Sequence, residues 1–202
     1  PGSEISFKPG PLYVKSTTVW GSGLVSACWE NPESGNILER GWVQDAVERS
    51  WPAVSNISFG GWAACSATSN GIRIRIANER PHTRGLGTEL NGVPAGMVLN
   101  FDFTYWAKDT DGKNYQPFGS CISEANRENC IRWITVHEFG HALGFSHEQN
   151  RTDTPGSCTE AKDGAKGDVA VGDWDLYSVM NYCNPNWNNQ GRLSSTRSEE
   201  RR

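Results

Sequence analysis

His137-Glu138-Phe139-Gly140-His141-Ala142-Leu143-Gly144-Phe145-Ser146-His147 gathers three of the chain's four histidines into one short segment. The residues around it decide the reading. Ile131, Trp133, Ile134, Val136, Phe139, Ala142 and Leu143 fall on several faces of a helix expected from near Ser123 or Asn126 to about Leu143, so that helix is largely buried. Burying His137, Glu138 and His141 there is costly unless something compensates them. The spacing supplies the answer. His137 and His141 stand i, i+4, so their imidazoles leave one helix face close enough to share a cation. Glu138 lies about 100° round the helix, beside that cation and off its coordination sphere. Gly144 can adopt the left-handed conformation that stops a helix, which returns His147 as a third ligand. Three nitrogen ligands leave a tetrahedral zinc with one open position, whereas a structural site closes with a fourth protein ligand.

The remainder of the chain narrows the setting. Its 202 residues suit one sizeable domain, and no apolar run approaches the ~20 residues of a membrane span. Nineteen basic residues against 23 acidic ones give a net charge of −4, which removes the electrostatic attraction that nucleic-acid binding relies on. Cys28, Cys65, Cys121, Cys130, Cys158 and Cys183 are widely spaced and form no C-x-x-C pair, so three disulfides in an oxidising compartment are expected. The pairing taken here is Cys28–Cys65, Cys121–Cys130 and Cys158–Cys183. The chain begins with Pro1 and has no apolar leader, and it reads as a processed form.

Residues 1–12 form a Pro/Gly-rich arm. Tyr13–Trp20 and Leu24–Trp29 favour strand or hairpin. Leu38, Trp42 and Ala46, with Val43, Val47 and Trp51, recur at i, i+4 and mark an amphipathic helix from Ile37 to Trp51, ended by Pro52. Ile57–Phe59 and the alternating Gly71–Ala77 are strands. Met97, Leu99, Phe101, Phe103 and Tyr105 alternate with Val98, Asn100, Asp102 and Thr104, the clearest strand pattern in the chain. Strand–helix–strand order implies a mixed sheet with a helix packed on it. The tail, 194–202, is polar and charged.

The histidine segment, together with Trp174-Asp175-Leu176-Tyr177-Ser178-Val179-Met180-Asn181-Tyr182 and with Glu148 directly after His147, resembles the metzincin zinc endopeptidases, and within them the astacin family. That resemblance implies an α+β fold with a twisted mixed sheet and two main helices in an upper subdomain, residues 13–144. A smaller irregular lower subdomain, 145–193, would follow, with the active-site cleft between them in a single catalytic domain. It implies one catalytic zinc on His137, His141 and His147, with Tyr182 as a further ligand that turns aside to stabilise the intermediate. Glu138 would be the general base for a zinc-activated water. Met180 would floor the three imidazoles, Gly144 would turn the chain, and Glu148 would pair with the buried amine of a matured N-terminus. Met97, Val98, Leu99, Asn100 and Phe101 would lie on an edge strand that binds an extended protein or peptide substrate by strand addition. The implied protein is a secreted monomeric endopeptidase with no membrane span and no nucleic-acid partner.

Two other readings compete. Phe139-Gly140 and Ala142–Ser146 are equally similar to serralysins and matrixins, which share the chemistry. A non-catalytic extracellular binding module with structural zinc, using its nine tryptophans as a ligand surface, is the alternative from another class. Calcium has weaker footing. Asp109-Thr110-Asp111-Gly112-Lys113-Asn114 has its glycine misplaced for an EF-hand and reads as a polar turn. Asp163, Asp168 and Asp173 lie in a glycine-rich stretch expected as a surface loop forming one wall of the cleft, where calcium is a second option. His82 reads as a solvated loop histidine. Arg151, Lys162 and Lys166 fall in the segment that would shape the pocket after the scissile bond.

Overall fold

The computed structural model describes residues 12–21, 23–104, 119–186 and 188–194. The arm before Leu12, Tyr105, the Asp109–Asn114 turn and the tail after Ser194 lie outside the described residues. Seven strands and two long helices appear in chain order: β1 (Leu12–Val14), β2 (Gly23–Trp29), α1 (Ile37–Glu48), β3 (Ile57–Ala64), β4 (Ile72–Ile76), β5 (His82–Thr83), β6 (Met97–Leu99), α2 (Glu124–Ala142) and β7 (Val169–Val171).

The main sheet runs in the order β3-β2-β4-β6-β5. Its first three pairings are parallel, and β5 closes one side antiparallel to β6. The sheet buries Val25, Ala27 and Trp29 from β2, Ile72 and Ile74 from β4, and Met97 and Leu99 from β6. Against these pack Val43, Ala46 and Val47 of α1 and the apolar side of α2, in one core cluster. Phe139 of α2 meets Phe59 edge-on, with ring centroids 4.9 Å apart. This is the α+β arrangement expected, a mixed sheet with two main helices.

Several local expectations need correction. The stretch 13–29 does not fold back on itself. β1 leaves the main sheet and pairs antiparallel with β7, placing Tyr13 opposite Ala170, while β2 joins the main sheet. Helix α1 ends at Glu48, ahead of Trp51 and Pro52, and Leu38 on its outer side is exposed. The strand expected from Met97 to Tyr105 stops at Leu99. The reason is Asn100, whose Oδ1 accepts the backbone N–H groups of both Asp102 and Phe103 at 2.8 Å. That local turn competes successfully with strand pairing, and Phe103 takes a positive φ of 65°.

The same correction reaches the substrate-binding expectation. Met97, Val98 and Leu99 lie between β4 and β5, with every residue of β6 buried, so β6 is an interior strand. Asn100 and Phe101 are buried too. The edge of the sheet on that side belongs to β5.

All three expected disulfides are present: Cys28–Cys65, Cys121–Cys130 and Cys158–Cys183. The first ties β2 to the residue after β3, and the second anchors the start of α2. The third braces the irregular chain after α2. Among the described residues no helix is long and apolar enough to cross a membrane.

Candidate metal centre

Helix α2 carries the first two histidines and stops abruptly. The Phe145 N–H reaches back to the Gly140 carbonyl at 3.0 Å, and the Gly144 N–H to that of His141 at 2.9 Å. This is the paired hydrogen bonding of a Schellman cap, and Gly144 occupies its left-handed position with φ 102°. The chain reverses there, as the sequence anticipates, and His147 returns to the helix.

The three rings converge through their Nε2 atoms. Those of His137 and His147 lie 3.3 Å apart, and those of His141 and His147 lie 3.1 Å apart. Each Nδ1 faces the other way, toward oxygen. His137 Nδ1 is 2.8 Å from the Val179 carbonyl and His141 Nδ1 is 2.7 Å from that of Phe145. His147 Nδ1 lies 3.2 Å from the Asp163 carbonyl and 3.0 Å from its carboxylate Oδ1. Because a carbonyl can only accept, Nδ1 carries the proton in each ring and Nε2 presents a lone pair.

Three lone pairs aimed at one point in a buried space repel unless a cation lies between them. Nitrogens bound to tetrahedral zinc at ~2.05 Å are separated by about 3.3 Å, which the two separations to His147 match, and all three donor atoms lie within 4.8 Å of one another. The donor set therefore fits one zinc ion. Among the described residues, these three form the only cluster of His, Cys, Asp or Glu side chains close enough to share an ion. His82 stands apart on β5, its Nδ1 bonded to the Arg80 carbonyl.

Burial sets the protonation of the site. Desolvation, reinforced by His147, pushes the His137 pKa down to about 3. Desolvation first, then its two imidazole neighbours, holds His141 well below the ordinary histidine range. Both are thus neutral at physiological pH, the form that binds metal. Glu138 is buried with its Oε2 unpaired, and desolvation raises its pKa to about 8. A nearby divalent cation acts in the opposite direction on such a carboxyl.

The segment around Met180 packs against helix α2. Met180 is buried, and its sulfur leaves no room at Gly140, where an added Cβ would lie 2.3 Å from Sδ. Glycine at that helical position is therefore a packing requirement, one the sequence pattern did not expose. Tyr182 stacks on His137 with ring centroids 5.5 Å apart and sits 4.4 Å from the His147 ring. Desolvation, then the charge of Glu138, holds its phenol above the ordinary tyrosine range.

Glu148 is buried as well. Its backbone N–H donates to the Met180 carbonyl at 2.9 Å, while its Oε1 accepts from the Asp175 N–H at 3.1 Å and faces the Arg151 guanidinium at 3.3 Å. Arg151, expected to help shape a substrate pocket, is 1% exposed. It donates to Asp153 and to the carbonyls of Leu12, Val171 and Gly172, so it braces the fold from within. Asp163, expected on a loop walling the cleft, meets a histidine that the sequence did not pair it with, and Arg80 escaped sequence reading altogether. Asp163 approaches His147, and Arg80 reaches Asp163 from beyond β4 at 3.3 Å. No periodicity or motif marks either one. Asp168, part of the same acidic trio, instead accepts from the Ser16 N–H and hydroxyl.

A metzincin α+β fold with a three-histidine group fit for zinc defines the class: a zinc metalloendopeptidase with one catalytic zinc. The family comparison agrees over the later part of the chain. The model of the astacin peptidase family matches residues 120–201, the portion that holds the three histidines, Glu138, Met180 and Tyr182. The fold is similar to that in "Structure of myroilysin", with a TM-score of 0.59 at 17% identity, covering 93% of this chain and 95% of that one. A second structure, the hatching-enzyme zinc-protease High choriolytic enzyme 1 from Oryzias latipes, aligns at 19% identity and TM-score 0.47 over 83% of this chain and 74% of that one. Over residues 120–201 the chain is thus similar to the astacin peptidases.

Proposed function

We propose that the chain is a secreted endopeptidase that hydrolyses peptide bonds with Glu138 as general base. The observation that carries this is the pairing of three convergent imidazoles with a buried carboxyl that has no hydrogen-bonding partner at Oε2. His137, His141 and His147 would hold the zinc. When bound, it supplies a Lewis acid and acidifies water. Glu138 would take a proton from the attacking water and deliver it to the departing amide nitrogen. Tyr182, stacked beside two of the imidazoles, would lend its hydroxyl to the zinc or donate a hydrogen bond to the developing oxyanion. Met180 would fix the base of the site, and Gly144 the return of His147. Glu148 would hold the segment after His147 against the Met180 turn.

Substrate would enter extended and add to the exposed edge of β5, His82–Thr83, where backbone groups on the side away from β6 can pair with a peptide. Three disulfides support an oxidising, extracellular setting. The test is cleavage of an unfolded protein by the zinc-loaded chain, by the same sample with a chelator, and by Glu138→Ala. Activity should vanish with the chelator and fall by about 10²–10⁴-fold in Glu138→Ala. Undiminished cleavage by that variant would remove the proposed base.

A further inference from the structure

We propose that the Asp163 carboxylate is a positioning residue for the metal centre: it orients His147 and sharpens it as a ligand, so that the charge of Asp163 sets how tightly zinc is held. The inference rests on the zinc-endopeptidase reading and deepens it.

The three ligands are not supported alike. His137 and His141 each direct Nδ1 at a neutral backbone carbonyl, of Val179 and of Phe145. His147 alone has an anion beside its Nδ1: the Asp163 carbonyl takes its hydrogen bond at 3.2 Å, while Asp163 Oδ1, buried and without a hydrogen bond of its own, lies 3.0 Å away. The first two ligands also ride on a helix, which fixes their separation. His147 sits beyond the Gly144 reversal, on irregular chain, and needs orientation from outside. With the carbonyl holding the Nδ1–H tautomer, a carboxylate charge this close to a metal-bound imidazole favours its orientation and raises the electron density at Nε2.

Asp163 is itself held in position. Its carbonyl accepts from Asn150 Nδ2 at 2.7 Å, which ties the loop to the turn just after His147. Its other carboxylate oxygen, Oδ2, faces Arg80 at 3.3 Å. The two oxygens thus divide between a ligand and a cation. Arg80 draws charge away from the side that faces His147, which gives the two substitutions opposite expected signs.

The experiment is zinc release from the folded holoenzyme to a chromogenic chelator, followed as a rate and as an equilibrium competition, with no substrate present. Asp163→Asn keeps the backbone carbonyl and the side-chain shape but removes the charge. It should speed release and weaken zinc by about 10–100-fold. Asp163→Glu, which restores the charge, should recover part of that loss. Arg80→Gln should slow release. The proposal is overturned if Asp163→Asn stays within about twofold of the unsubstituted chain, well short of that range. It is equally overturned if Arg80→Gln accelerates release as much as Asp163→Asn, since the ion pair would then merely pin the loop. Failure of the underlying zinc-enzyme reading would look different: the unsubstituted chain would not take up one zinc per molecule.

Discussion

Phe139 and Asn181 are both inaccessible to solvent, one in α2 and the other in the chain beneath it, yet different forces bury them. Phe139 lies among Phe59, Trp62 and the rest of the core, where removal of apolar surface from water supplies the stabilisation. Asn181 is fixed by polar bonds. Its Nδ2 donates to the Asp175 carbonyl at 2.8 Å and its Oδ1 accepts the Cys183 N–H at 3.0 Å. The contrast extends to the surrounding chain. The described residues between 23 and 142 build strands and helices whose backbone groups pair with one another. Between 145 and 186 the only regular strand is the three-residue β7, and side chains take over that work. Gln149 accepts the Tyr182 N–H, Asn150 bonds to the Asp163 carbonyl, and Asn184 accepts the Asn186 N–H. A backbone that follows neither helix nor sheet must find a partner for each buried polar group one by one.

The comparison can be broken by substitution. Phe139→Ala should cost about 3–5 kcal/mol by transfer and cavity terms, and lower the thermal midpoint of the whole chain in a single transition. Removing the Cys158–Cys183 bridge as a double Ser variant should cost about 3 kcal/mol for a loop of its length. That effect should surface first as proteolytic nicking between 150 and 185, with amide exchange in β2 and β4 unchanged. If β2 and β4 lose protection in step with the lower chain, the two regions are one cooperative unit and the distinction fails. Asn181→Ala should have the smallest effect, about 1–3 kcal/mol, since it orphans a buried N–H and a carbonyl. Chemical denaturation measures it, and a value near zero would show that water replaces the lost partners.

The same contrast governs what could be read in advance. Helix α2 and its histidines were legible because a helix turns spacing into geometry: i, i+4 fixes two imidazoles on one face whatever surrounds them. Gly144 was legible for a related reason, since a helix that must stop and reverse requires a left-handed residue. Alternation along Met97–Tyr105 was less reliable. It signals a strand only while the backbone has no better local bond, and Asn100 offered one. The pairing of β1 with β7 has no local signature at all, because Leu12–Val14 meets Val169–Val171 from the far end of the chain. Arg80 and Asp163 belong to that last kind. They meet the metal centre through loop geometry, and neither lies in a pattern of fixed spacing.

The Schellman stop at Gly144 also has a consequence for how the ion is captured. The helix keeps His137 and His141 as a preset bidentate half-site, while the third donor depends on where the loop rests. Chelation should thus proceed in two stages, with the ion lodging first on the helical pair and the loop then closing over it. The slow step of uptake would then report on the loop's fluctuations, and the helix would act as the docking rail.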